Sequence, residues 1–171
     1  MGRMDLLIVR HAIAEKRDVF SGTGRDDAER PLTPAGRRKF KRAARGLHRI
    51  VPSIDVLATS ALVRAVETAE ILRRVYRIDK VARLRELEPD ASPAALMGWL
   101  RRQRRRPVVA VVGHEPHLSM LIEHLLTDGH HGFIDLEKGG ACLLALGDGS
   151  KPDHPELRWL LTAAQLRRLG A

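Results

Sequence analysis

Four side chains at three separated points of the sequence have types suited to one reaction: Arg10-His11, then Arg64 four residues after Ser60, then Gly113-His114. A neutral imidazole is a good nucleophile toward phosphorus, and flanking arginines disfavour its protonated form, so it stays unprotonated near neutral pH. His11 is the candidate attacker. Phosphoryl transfer also needs positive donors on the equatorial oxygens, and arginine supplies a forked set whose charge cannot be lost. Arg10 and Arg64 fit that role, and His114, protonated beside a phosphate dianion, would add another donor. The attacking ring needs a hydrogen-bond acceptor on its other nitrogen, and a backbone carbonyl is the expected one.

These residues must be brought together by the elements that carry them. Short apolar runs alternate with segments of period 3.6, the pattern of an α/β sheet with helices on its faces. Strands are expected at Met4 to Val9, Ile54 to Thr59, Lys80 to Leu84, Val108 to Val112, Ala141 to Leu146 and Arg158 to Thr162. Val108 to Val112 is continuously apolar, as befits a central strand covered on both faces. Thr33-Pro34 opens a helix to Ile50 whose apolar face is Phe40, Ala43, Ala44, Leu47 and Ile50. Ser60 is placed to cap the next helix, with Leu62, Val66, Ala69 and Leu72 as its buried stripe. Ser92-Pro93 opens a helix through Leu100, and Leu118, Leu121, Ile122 and Leu125 mark another beginning near Pro116. Glu15 to Arg30 reads as irregular. The Gly/Asp/Pro-rich stretch from Gly147 to Pro155 suits a hairpin-like return and an antiparallel last strand.

In open α/β sheets ligands bind outside the carboxyl ends of the strands. Arg10-His11, Thr59-Ser60 with Arg64, and Gly113-His114 all fall at such ends, so they are expected on one rim. A histidine at a single strand end is ordinarily a turn hydrogen-bonder. A joint cluster of this kind repels itself unless an anion neutralises it.

The 171 residues suffice for a core and are read as one domain, 1–171, with no repeat, linker or composition shift. Cys142, the single cysteine, lies in an apolar setting and reads as a core residue. The N-terminal apolar run is too short for a signal peptide and no stretch reaches the length of a membrane span, so a cytoplasmic location is expected. A net charge of +9 favours anionic partners, but 4% aromatic residues leave few stacking platforms for single-stranded nucleic acid. The basic run Arg101 to Arg106 reads as a solvated helix end. His114 and His117 are three apart, yet no cysteine or carboxylate completes a metal set at familiar spacing. His124, His130 and His131 read as surface or loop residues, and no cofactor is implied.

Arg10-His11-Ala12 resembles the Arg-His-Gly signature of the histidine phosphatase, or phosphoglycerate-mutase-like, superfamily. Ser60-Ala61-Leu62-Val63-Arg64-Ala65-Val66-Glu67-Thr68-Ala69 is similar to its second signature and Gly113-His114-Glu115-Pro116 to its third, in the same order across nearly the whole chain. The short length, Arg30-Pro31-Leu32-Thr33-Pro34-Ala35-Gly36 and Leu84-Arg85-Glu86-Leu87-Glu88-Pro89 most resemble the SixA branch of phosphohistidine phosphatases. The resemblance implies a single three-layer α/β domain, with a mostly parallel central sheet flanked by helices. It also implies metal-independent hydrolysis through a phosphohistidine on His11. Arg30 takes the place of a phosphate or substrate contact, with a surface residue before a helix cap as the competing reading. Glu86 takes the place of the carboxylate that protonates the leaving group, with Glu88 as a rival and no acid as a third possibility, since phosphoramidates leave readily. Ala12 in place of the usual glycine adds a methyl where positive φ would be disfavoured.

Three functions compete on this reading. The favoured substrate is a phosphorylated protein bearing phosphohistidine. A small phosphate ester or nucleotide would use the same chemistry. A non-catalytic anion- or nucleic-acid-binding module would instead lose affinity steeply with salt and survive His11→Ala.

Overall fold

A computed structural model describes residues 3–127, 132–147 and 155–171. The strands are β1 (Met4–Arg10), β2 (Val56–Thr59), β3 (Val81–Arg83), β4 (Val108–Gly113), β5 (Ala141–Leu146) and β6 (Glu156–Leu161). They form a 6-stranded sheet in the order β3-β2-β4-β1-β5-β6. β3, β2, β4 and β1 are mutually parallel, while β5 runs antiparallel to both β1 and β6. The last strand is antiparallel as anticipated. The turn expected from Gly147 to Pro155 lies largely outside the described residues, as do His130 and His131.

Helices α1 (Arg17–Ser21), α2 (Pro34–Ile50), α3 (Val63–Tyr76), α4 (Pro93–Arg102), α5 (His117–Leu126) and α6 (Ala163–Leu169) complete the chain. Side-chain alternation along the strands divides the core in two. Leu7, Val9, Leu57, Ala110, Val112 and Leu143 face α2, α3 and α6. Leu6, Ile8, Ala58, Val109, Val111 and Leu144 face α4 and α5, with Cys142 buried among them. The three-layer architecture is the one the sequence pattern requires.

α2 starts where expected, with Thr33 Oγ1 accepting from the Gly36 N–H at 2.9 Å and proline in the first turn. Phe40, Ala43, Ala44 and Leu47 are buried, whereas Ile50, at the helix end, is exposed. The buried stripe of α3 also differs from the expected one. Arg64, Ala65, Thr68, Ala69 and Leu72 are buried, while Leu62 and Val66 are only partly so. Rotation of that stripe turns Arg64 inward. α1 and α6 were not anticipated, although Thr162 and Gln165 form a reciprocal capping box at the start of α6. The basic run after Leu100 is solvent-facing, with Arg101, Arg102, Arg104, Arg105 and Arg106 all exposed, as expected of a helix end. Among the described residues no helix is long and apolar enough to cross a membrane.

Candidate active site

The parallel register sets Arg10 beside Gly113 and Thr59 beside Val112, so β1, β4 and β2 end at one level. The chain stays paired just beyond the strands: the His11 N–H donates to the Gly113 carbonyl at 3.0 Å and the Ser60 N–H to Val112 at 3.3 Å. His11, Ser60 and His114 are thereby held on adjacent strand ends. Arg64, at the second position of α3, reaches the same place from the helix side. Arg10, His11, Arg64 and His114 all line one cleft of about 480 Å³, while Ser60, which does not line it, contacts His114.

His11 is buried, and its Nδ1 lies 2.8 Å from its neighbour's carbonyl, Ala12 O. A carbonyl oxygen only accepts, so the neutral ring carries its proton on Nδ1 and holds a lone pair on Nε2. Burial, followed by the charges of Arg64, Arg10 and Lys138, pushes the ring down to about 3 against the opposing pull of the Ala12 bond. The backbone acceptor expected for this ring is therefore Ala12. Its methyl is accommodated because Arg77 is the only non-glycine residue with positive φ among those described. The Ala12 N–H donates to Thr68 Oγ1 at 3.0 Å, and Thr68 in turn donates to Arg64 O at 2.7 Å. One threonine of α3 thus fixes the turn that orients His11.

The His114 ring centroid is 5.1 Å from that of His11, with the planes at 50°. Its Nε2 lies 2.6 Å from Ser60 Oγ. This contact corrects the expectation that Ser60 caps α3, whose N-cap is Leu62 without a side-chain bond. Ser60 supports the second imidazole instead. Burial first, then His11, Arg64, His117 and Arg10, push His114 down to about 2, so in the free protein it is neutral rather than the cation the residue type had offered. Its Nδ1 is buried and has no partner among the described residues, and it carries the ring proton when the Ser60 hydroxyl donates to Nε2.

Arg10 is clamped by a 2.8 Å bond from Nη1 to the Leu136 carbonyl. Arg30 is buried and lines the cleft, which decides against its reading as a surface residue. It donates to the Glu15 carbonyl at 2.8 Å and to Asp27 Oδ1 at 2.7 Å. Asp27 gathers more than Arg30. Its Oδ2 lies 3.2 Å from Arg64 Nη1, its main-chain oxygen accepts from the same nitrogen at 2.9 Å, and its Oδ1 lies 3.4 Å from Arg17 Nε. The hydrogen bond from Arg30 and the charge of Arg64 hold the Asp27 carboxyl below its usual range. Nothing in the spacing of Asp27 singled it out among neighbouring acids.

Glu86 and Glu88 fall differently from expectation. Glu86 sits in a 3-10 turn, Arg85–Leu87, and neither carboxylate lines the cleft; Pro89 is the residue of that segment that does. Two residues missed in the sequence do line it, Glu115 and Lys138. Lys138 precedes β5, which runs antiparallel, so the amino end of that strand reaches the rim where the parallel strands present their carboxyl ends. Among the described residues no group of three His, Cys, Asp or Glu side chains is arranged to hold a metal ion. Cys142 is buried and its thiol is pushed up to about 12, in keeping with a core role. His124 is exposed.

A three-layer α/β sheet with two histidines and an arginine cluster at its strand ends defines a class of phosphate-handling folds, and comparison with known proteins agrees. The profile of the histidine phosphatase superfamily (branch 1) matches residues 6–91. The chain is 32% identical over 168 residues to an uncharacterized protein of Picosynechococcus sp., covering 92% of this chain and 99% of that one. The structure is similar to that of the protein histidine phosphatase SixA complexed with tungstate, with a TM-score of 0.80 and 20% identity over 95% of this chain and 99% of that one. It is also similar to the alpha-ribazole phosphatase from Shigella flexneri, with a TM-score of 0.71 and 17% identity over 94% and 97% of the two chains. The chain belongs to branch 1 of the histidine phosphatase superfamily.

Proposed function

We propose that this protein is a metal-independent phosphatase that takes a phosphoryl group onto His11 Nε2 and passes it to water, with a protein phosphohistidine as its favoured substrate. The observation that carries this reading is the 2.8 Å bond from His11 Nδ1 to Ala12 O, which leaves a lone pair on Nε2 inside an arginine-lined cleft. In the first step the N–P bond forms as the bond to the leaving group breaks. In the second, water attacks phosphorus and the electron pair returns to Nε2. Arg10 and Arg64 grip the equatorial oxygens, His114 Nδ1–H adds a donor, and Arg30 forms the adjoining wall. These guanidiniums supply the positive charge that a divalent cation supplies elsewhere.

The cleft volume of about 480 Å³ falls within the range of roughly 300–1,000 Å³ typical of small-ligand sites, room for a phosphoryl group and the ring that bears it. The resemblance to a protein histidine phosphatase that holds tungstate, a tetrahedral oxyanion, supports the protein substrate. The likeness to an alpha-ribazole phosphatase favours a second reading, a small phosphorylated molecule turned over by the same residues.

Brief incubation with a labelled phosphohistidine protein, followed by acid quench and peptide mapping, tests the reading. Acid-labile, base-stable label is expected in the peptide containing His11. His11→Ala is expected to lose turnover by several orders of magnitude while keeping its fold. Turnover by the wild-type protein with no label ever found on His11 removes the covalent step. Comparing kcat/KM for the phosphoprotein with that for small esters ranks the two substrate classes.

A further inference from the structure

The hydrolysis proposed above leaves one proton without a carrier, because the leaving atom must be protonated and neither Glu86 nor Glu88 lines the cleft. Glu115 does, alongside Arg10, His11 and His114. It follows His114 directly at the end of β4, so the strand that delivers the second imidazole also delivers this carboxyl. Its two oxygens are in different situations. Oε2 accepts from Ser119 Oγ, one turn along in α5. Oε1 is shielded from solvent and has no partner among the described residues.

We propose that the Glu115 carboxyl is the acid that protonates the leaving atom and then the base that activates water. The assignment rests on the phosphohistidine reading and deepens it. In the first step His11 Nε2 forms the bond to phosphorus, the bond from phosphorus to the leaving atom breaks with its electron pair on that atom, and the Glu115 carboxyl gives it a proton. The carboxylate that remains takes a proton from the attacking water in the second step. The N–P bond then breaks with its pair returning to His11, phosphate departs, and Glu115 is protonated again. Atoms and charge balance over the cycle, with no co-reactant besides water.

The surroundings favour this use. Burial raises the carboxyl above its ordinary value, opposed by the Ser119 bond and by Arg10 from β1, and reinforced by Asp135 from the segment before β5. A carboxyl shifted in this direction holds its proton more readily, as a donor needs. Ser119 holds the other oxygen, so the free one is fixed in direction.

The test compares wild type and Glu115→Gln on an activated ester, 4-nitrophenyl phosphate, and on an alkyl phosphate, whose leaving group needs a proton. For the alkyl ester kcat is expected to fall on the order of 10²-fold or more in Glu115→Gln, while labelling of His11 from 4-nitrophenyl phosphate stays within a few-fold of wild type. Glu115→Asp, which retains a carboxyl, is expected to recover part of the alkyl-ester rate. A second measurement needs no variant: wild-type rates across aryl phosphates of graded leaving-group acidity should vary shallowly at low pH and steeply once the carboxyl titrates. Equal losses in the rate of His11 labelling from both esters, a Glu115→Gln enzyme within about twofold of wild type on the alkyl ester, or a steep dependence at every pH would each overturn the assignment. Failure of the wild-type protein to carry label on His11 would instead remove the reading beneath it.

Discussion

The imidazole of His11 is oriented by a short relay of neutral groups. Its Nδ1–H is satisfied by Ala12 O, the Ala12 N–H is satisfied by Thr68 Oγ1, and the Thr68 hydroxyl is satisfied by Arg64 O. Every member is buried, so the relay tolerates no vacancy. Thr68→Val keeps the side-chain shape and removes the acceptor, leaving the Ala12 N–H buried and unpaired. The expected loss is about 1–3 kcal/mol, read from the urea midpoint, with Thr68→Ser closer to wild type because it retains the hydroxyl. The candidates His11, Arg10, Arg64 and His114 were legible in the sequence because strand ends are legible and the chemistry of the four types is shared. The relay was not. Whether a threonine hydroxyl bonds its own helix or a turn 56 residues away is decided by packing, and the same holds for Asp27 and its arginines.

At the scale of elements, the site is a consequence of register and direction. Three parallel strands stop at one level and an antiparallel fourth brings its amino end to that level, where the Gly139 N–H meets the carbonyls of Arg10 and His11 at 3.2 and 3.1 Å. The apolar run Ala141 to Leu146 has no feature that distinguishes parallel from antiparallel, which is why Lys138 could not be placed in advance. α6 went unread for a different reason: at seven residues it shows barely two turns of periodicity, although its capping box was present in the sequence. What secures α6 is close contact with α2. A Cβ added at Gly46 would sit 2.0 Å from the Leu166 carbonyl, and one added at Gly170 would sit 2.0 Å from Arg42 O. Both obstacles are backbone and cannot swing aside. Gly46→Ala is therefore expected to cost about 1–3 kcal/mol, despite the better helix propensity of alanine, and to raise amide exchange first in α6. An unchanged or higher urea midpoint would show that the two helices slide apart at no cost.

For the whole molecule, the concentration of charge and burial at one rim couples stability to pH. His11 and His114 are pushed from 6.5 to about 3 and about 2, so between those values and 6.5 the unfolded chain holds protons that the folded chain refuses. Stability then rises with pH and falls as pH drops from about 6.5, at up to about 1.4 kcal/mol per pH unit for each ring, while above 6.5 neither contributes. The depressed carboxyl of Asp27 works in a separate window. Its stabilisation is complete above its ordinary value of 3.8 and is lost only as pH falls below that. Unfolding measured between pH 6.5 and 4.5 thus isolates the histidines from this aspartate. His114→Gln keeps a polar side chain but cannot titrate, and the difference in stability between wild type and variant is expected to shrink steadily toward pH 4.5, by up to about 1.4 kcal/mol per unit. The two slopes coincide only if His114 takes up its proton in the folded state. In that case the imidazole would enter the reaction as a cation, and the neutral pairing of Ser60 with Nε2 would be wrong.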